Sequence, residues 1–230
     1  MLELDVHGSK ESDVVIIHDA ALERTTNGRG RVKNRPLEEL RELDAGYWFT
    51  KKDQGSYPFR GQKIKIPTLE EFLIAFPEAK AIIEIKQGRP PIVRKTLDII
   101  RRLGREDNVL LATEKDHIMR EIRKEVHKSG MSIATGFSYG EVAAFMKWVA
   151  SGKKPGYVPP GQAMQIPCEY KGMGLVTEPT LQGAHELGVE MFVWTVNEVE
   201  EMKRLVRLGV DGIITDYPAR LCSLLSRNGR

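Results

Sequence analysis

A parallel α/β barrel is the fold class that this sequence predicts, and three observations lead there. Short apolar, β-rich runs alternate with amphipathic helical segments along most of the chain, the pattern of repeated βαβ units. Two of the runs carry ionisable residues at i and i+2 near their C-terminal ends, where a barrel gathers its functional groups. At 230 residues and 26.0 kDa the chain is long enough for one large core.

Taken in order, "LELDV" is a strand at 2–6, and "VVIIHD" at 14–19 is a short apolar run bounded by polar residues. Residues 20–66 are rich in Gly, Asn, Arg and Lys and carry an aromatic knot, "GYWF", at 46–49. They read as a structured insertion that includes aromatic side chains worth burying. "IPTLEEFLIAF" starts a helix, with Thr68 and Glu71 at capping-box spacing. Strands then follow at 81–86, 108–113, 131–137, 163–166, 190–196 and 212–215, with helical periodicity between them and a helical tail. With 2–6 these make seven core strands, "VVIIHD" being assigned to the insertion. A (β/α)8 barrel needs eight strands, so the first strand–helix unit is expected to be absent from the front of residues 1–230, which are read as one barrel domain.

Composition narrows the function. A hydrophobic content of 41% excludes a disordered chain, and no apolar run is long enough to span a bilayer. No basic region followed by an apolar one precedes the first strand, so a cytoplasmic location is expected. The net charge is only +3, with both signs interspersed, which argues against nucleic acid and allows a small anionic substrate. The basic stretches "RKTLDIIRRLGRE" and "MREIRKEVHKSG" read as solvated helix faces. Cys168 and Cys222 have no metal-ligand spacing.

Glu3 and Asp5 share one face of their strand, opposite Leu2, Leu4 and Val6. Glu84 and Lys86 repeat the arrangement in "IIEIK". Lys86 offsets one of the three carboxylates. Their convergence at a strand end would favour a hard divalent cation, Mg²⁺ or Ca²⁺; the alternative is a rim salt-bridge network around Lys86. His18, just past an apolar strand, is either a surface residue or a general acid–base group. Asp19 beside it is expected to point elsewhere and to fix the loop.

Together "ELDV", "VVIIHDAALERTTNGRG", "LDAGYWF", "IPTLEEFL", "IEIK", "FVWTVN" and "GVDGIITDYPARL" stand in the order of one family. The chain resembles the glycerophosphodiester phosphodiesterases over almost all of residues 2–221. The resemblance implies a TIM (β/α)8 barrel of the phosphodiesterase type. It implies metal-dependent hydrolysis of glycerophosphodiesters to glycerol 3-phosphate and an alcohol. Glu3, Asp5 and Glu84 match the metal ligands, His18 one of two catalytic histidines, and Lys86 a lysine that meets the phosphate or the metal site. Trp194 matches a rim aromatic that packs against glycerol carbons, the alternative being a residue of the barrel wall. The chain departs from the family at "GSKES" (8–12) and "LATEK" (111–115).

The family also begins with a His-Arg strand, a Pro-Glu-Asn-Thr motif and a helix, which residues 1–230 do not match. Without them the chain is expected to have at most trace activity and to self-associate across the open barrel edge. A small-molecule substrate is expected, with no nucleic acid and no stable membrane insertion. Two alternatives to the leading reading remain: a catalytically incomplete barrel that binds glycerophosphodiesters or a partner, and a related phospholipase-like phosphodiesterase.

Overall fold

The computed structural model describes residues 1–50 and 55–227, and the chain divides into two compact units, Met1–Ile133 and Ala134–Arg230. In the first unit the elements are β1 (Leu2–Gly8), β2 (Val14–Ile16), α1 (Leu37–Arg41), α2 (Leu69–Ala75), β3 (Ala81–Ile85), α3 (Val93–Arg102), β4 (Val109–Ala112) and α4 (Asp116–Ser129). Its strands run in the order β2-β1-β3-β4. β1, β3 and β4 are parallel, with Asp5 opposite Glu84 and Glu84 opposite Ala112. β2 is antiparallel to β1, pairing Ile16 with Val6, so "VVIIHD" forms a hairpin edge and takes no part in the parallel set.

The apolar side chains of this sheet meet helices that cover it. Ile83, Ile85 and Leu111 are fully buried with Leu97, Ile100, Ile118 and Ile122 of α3 and α4. At about 25 cal/mol per Å² of apolar surface, each such side chain is worth roughly 1.5–3 kcal/mol. α2 starts at the expected place: Thr68 and Glu71 form the reciprocal capping box, satisfying two amides that the first turn leaves free. It ends on Arg105, which donates to the carbonyls of Leu73, Phe76 and Ala79 at 2.8, 3.1 and 2.6 Å. Arg105 is buried. The reading of "RKTLDIIRRLGRE" as a wholly solvated face is corrected there: a guanidinium offers enough donors to close a helix C-terminus from a distance.

The insertion is ordered around a second buried cluster, Val15, Ile17, Leu22, Val32, Leu40 and Ile66. Of its residues 20–66, 51–54 lie outside those described. The aromatic knot is not buried as the sequence suggested. Trp48 and Phe49 remain 44% and 51% exposed.

The second unit holds β5 (Ala134–Thr135), α5 (Tyr139–Ala150), β6 (Ala163–Pro167), a small hairpin of β7 (Glu169–Tyr170) and β8 (Met173–Gly174), α6 (Glu178–Glu186), β9 (Glu190–Trp194), α7 (Val199–Leu208), β10 (Gly212–Ile213) and α8 (Pro218–Arg227). β10, β9 and β6 form a parallel sheet in that order. Phe145, Met164, Met191, Val193, Met202 and Leu205 are buried in its core. The strand expected at 131–137 is regular only at 134–135, and the one at 212–215 only at 212–213. Beyond Ile213 the chain stays tied by Ile214 N–H to the Val193 carbonyl and by Val196 N–H to the Ile214 carbonyl, at 2.9 and 3.0 Å.

Candidate active site

The site is built from strand alternation. Glu3 and Asp5 leave the same face of β1, and parallel pairing sets Asp5 directly opposite Glu84 on β3. Each of Glu3, Asp5 and Glu84 offers a carboxylate oxygen, and these oxygens lie within 4.8 Å of one another. Lys86 Nζ stands 2.8 Å from Glu84 and 3.1 Å from Asp5. Burial by itself would lower the Lys86 pKa, but its bonds to Glu84 and Asp5 outweigh that and raise it. Among the described residues Glu3 has no ion-pair partner of its own. Desolvation first, then the charges of Asp5 and Glu84, push its carboxyl up to about 7. Glu3 is nonetheless an exposed residue, so its carboxyl stands at the edge of the cluster with solvent on one side.

This donor set fits one hard cation. Oxygen ligands at about 2.3–2.6 Å from a centre lie at most about 5 Å apart, and three carboxylates against one ammonium leave the negative charge such an ion takes up.

His18 reaches the site through main-chain bonding. Ile17 N–H donates to the Asp5 carbonyl at 3.0 Å, continuing the hairpin one residue past Ile16. The residue that follows is thereby laid beside β1, close enough for the charge of His18 to act on Glu3. Asp19 does not point elsewhere, as expected from its position. It accepts a hydrogen bond from His18 Nδ1 at 2.6 Å and is clamped by Arg24. The Arg24 guanidinium, and His18 beside it, hold the Asp19 carboxyl down at about 2. A carboxylate that stays ionised favours the Nδ1–H tautomer and leaves Nε2 as the atom able to accept a proton.

Three supporting residues were missed by sequence reasoning. His7 is buried, and its Nε2 donates to the His18 carbonyl at 3.2 Å. Burial pushes this imidazole below its ordinary pKa, against opposing hydrogen bonds to the His18 carbonyl and to Gln87. Gln87 in turn accepts from Gly8 N–H and donates to the Pro90 carbonyl, at 3.3 and 2.9 Å. Lys115, from "LATEK", donates to the Lys86 carbonyl at 2.6 Å. One signal was available: Glu3, Asp5 and His7 continue a single period-2 face. Trp194 stands in the second unit at the end of β9, 43% exposed, which removes its reading as a buried wall residue.

The profile of the "Glycerophosphoryl diester phosphodiesterase family" matches residues 1–220. The glycerophosphodiester phosphodiesterase of Caldanaerobacter subterraneus subsp. tengcongensis is 33% identical over 236 residues, covering 99% of this chain and 86% of that protein. A mouse (Mus musculus) protein named lysophospholipase D GDPD1 is 28% identical over 251 residues, with 98% and 77% covered. Among solved structures, an Oleispira antarctica phosphodiesterase in complex with the product sn-glycerol-3-phosphate superposes with a TM-score of 0.76 at 21% identity, covering 97% of this chain and 84% of that one. The class is that of phosphoric diester hydrolases of the TIM-barrel type, to which the parallel α/β sheets of both units conform. The chain belongs to the glycerophosphoryl diester phosphodiesterase family.

Proposed function

We propose that this chain hydrolyses glycerophosphodiesters to glycerol 3-phosphate and an alcohol, with Glu3, Asp5 and Glu84 as ligands of a divalent cation, Mg²⁺ or Ca²⁺. The observation that carries the proposal is the convergence of three carboxylates on adjacent parallel strands around a single lysine. When bound, a hard cation there neutralises phosphoryl oxygens and makes a coordinated hydroxyl more acidic. Lys86 keeps Asp5 and Glu84 in place and presents positive charge to an incoming phosphodiester. The attacking group, by the family resemblance, is the neighbouring glycerol hydroxyl, which gives a cyclic phosphate that water then opens. His18 has its Nδ1–H committed to Asp19, so Nε2 takes or returns the proton, returning it to the leaving alkoxide. Asp19 stabilises the imidazolium while the proton is held, and His7 fixes the main chain that carries the ring. The resemblance assigns Trp194 to the glycerol carbons, so Trp194→Ala should raise KM with little change in kcat.

Two measurements test the proposal. Calorimetric titration of the metal-stripped chain with Mg²⁺ and with Ca²⁺ should show binding that Glu84→Gln weakens by about 10²-fold or more, beyond the usual effect of an outer partner. Equal affinities in the two proteins would overturn the ligand set. Release of glycerol 3-phosphate from glycerophosphocholine should stop on chelation and return with the cation. Release that survives chelation would overturn the cation, and tight cation binding with no release from any glycerophosphodiester would overturn the substrate class. A second reading, cleavage of intact lysophospholipids, is favoured by the mouse relative's name. Glycerophosphocholine and lysophosphatidylcholine offered side by side decide between the two.

A further inference from the structure

The insertion carries a surface that the proposed chemistry does not use. Trp48, Phe49, Tyr57, Phe59 and Ile64 are 44%, 51%, 40%, 37% and 41% exposed. They are contiguous. Tyr47 lies edge-on to Trp48 with ring centroids 4.9 Å apart, Trp48 to Tyr57 at 5.8 Å, and Phe49 packs on Phe59 at 5.1 Å. Phe59 and Ile64 both lie over Gly46, where a side chain would collide with them. Isolated exposed apolar residues are ordinary, whereas a joined group marks an interaction surface.

The lobe is built in advance of any partner. Buried Asp44 accepts from Gly46, Ile64 and Gly61 N–H at 3.0, 3.3 and 2.7 Å, and its own N–H donates to Asn27 Oδ1 at 2.9 Å. Ala45 N–H reaches the Ile64 carbonyl at 2.7 Å. Arg60 donates to the Tyr47 carbonyl at 2.9 Å while its guanidinium lies 4.4, 4.7 and 3.8 Å from the ring centroids of Tyr47, Trp48 and Tyr57. Exposed Lys63 and Lys65 follow, and among the described residues of 45–65 there is no carboxylate.

Charge decides what covers this face. A two-fold contact with a second copy would set this cationic patch of Arg60, Lys63 and Lys65 against an identical patch, a like-charge juxtaposition that opposes pairing. Rings with a polar edge, Trp and Tyr, surrounded by cations suit the headgroup boundary of an anionic bilayer, where the ring enters and the ammonium stays among phosphates. We infer that the aromatic lobe formed by residues 45–50 and 55–65 docks the protein peripherally on anionic lipid surfaces. The inference stands independently of which diester is cleaved.

Flotation of the full chain with vesicles tests it. Binding is expected to phosphatidylcholine vesicles containing roughly 30% phosphatidylglycerol and not to phosphatidylcholine alone. Raising salt from about 0.1 M to about 0.5 M should weaken it strongly. The double variant Trp48→Ala/Phe49→Ala should bind about tenfold or more weakly. Lys63→Gln/Lys65→Gln should lose the preference for anionic lipid while keeping its rings. Both should release glycerol 3-phosphate from a soluble diester as the unaltered protein does, with matching circular dichroism. Equal vesicle binding by the parent and by both folded variants would overturn the inference, as would no binding by the parent. A lipid-free dimer that Trp48→Ala/Phe49→Ala dissociates would assign the face to a second copy.

Discussion

The strand ends of β1 and β3 and the lobe at 45–50 and 55–65 break the ordinary partition of side chains in opposite directions. The first withdraws two carboxylates and a lysine from water, with side chains of Asp5, Glu84 and Lys86 only 13%, 21% and 19% exposed. The second holds five large apolar side chains in solvent on one buried carboxylate, Asp44. Both are costly alone, since buried charge loses hydration and exposed rings order water. In each the backbone is tied down so that the exception persists: parallel pairing for the carboxylates, a ring of amides around Asp44 for the rings. What differs is the complement. The charged cluster is short of positive charge, and the aromatic lobe is short of apolar cover and of negative charge.

The largest expected effect tests the charged side. His18→Ala should lower turnover by about 10²–10⁴ while changing KM little, since the ring handles protons and does not hold substrate. A steady-state comparison with near-parental kcat would reduce His18 to a loop residue.

Asp44→Ala should break the other side of the comparison. It leaves three amides without their acceptor, each bond to a charged group being worth about 1.5–3 kcal/mol. Thermal or urea unfolding should show a loss of several kcal/mol, and lipid flotation should fail with it. A small loss with the lobe intact, read from tryptophan fluorescence, would mean the rings hold their own positions.

A smaller effect is expected from His7→Leu, which removes the donor to the His18 carbonyl and costs about 1–3 kcal/mol. Because His7 acts through the main chain of His18, kcat should fall more than KM rises, and His7→Gln should recover part of it. An unchanged kcat with reduced stability would show that His7 serves the fold alone.

Stability should barely respond to Trp48→Ala, within about 0.5 kcal/mol, as for exposed positions away from structural features. A loss well above that in unfolding measurements would show the ring to be part of the core.

The outline of the fold and the charged cluster were legible because both follow local rules. A period-2 alternation places Glu3 with Asp5 and Glu84 with Lys86, and the capping box at Thr68 and Glu71 announces α2. What local rules do not contain is the register between strands distant in sequence. Only pairing of β1 with β3 puts Asp5 opposite Glu84, and only the hairpin bond from Ile17 to Asp5 brings His18 beside Glu3. The buried Arg105 arises the same way, from a hydrogen bond to a distant carbonyl, and the support from His7 comes from a bond across the β1–β2 hairpin; neither is encoded in composition. The exposed aromatic knot is the clearest case. Hydrophobicity alone argued for burial, but Asp44 closes its loop with the rings on the outside. The sequence determined which side chains were available at each strand end; tertiary structure decided which of them meet, because register and loop closure are set by contacts made across the whole chain.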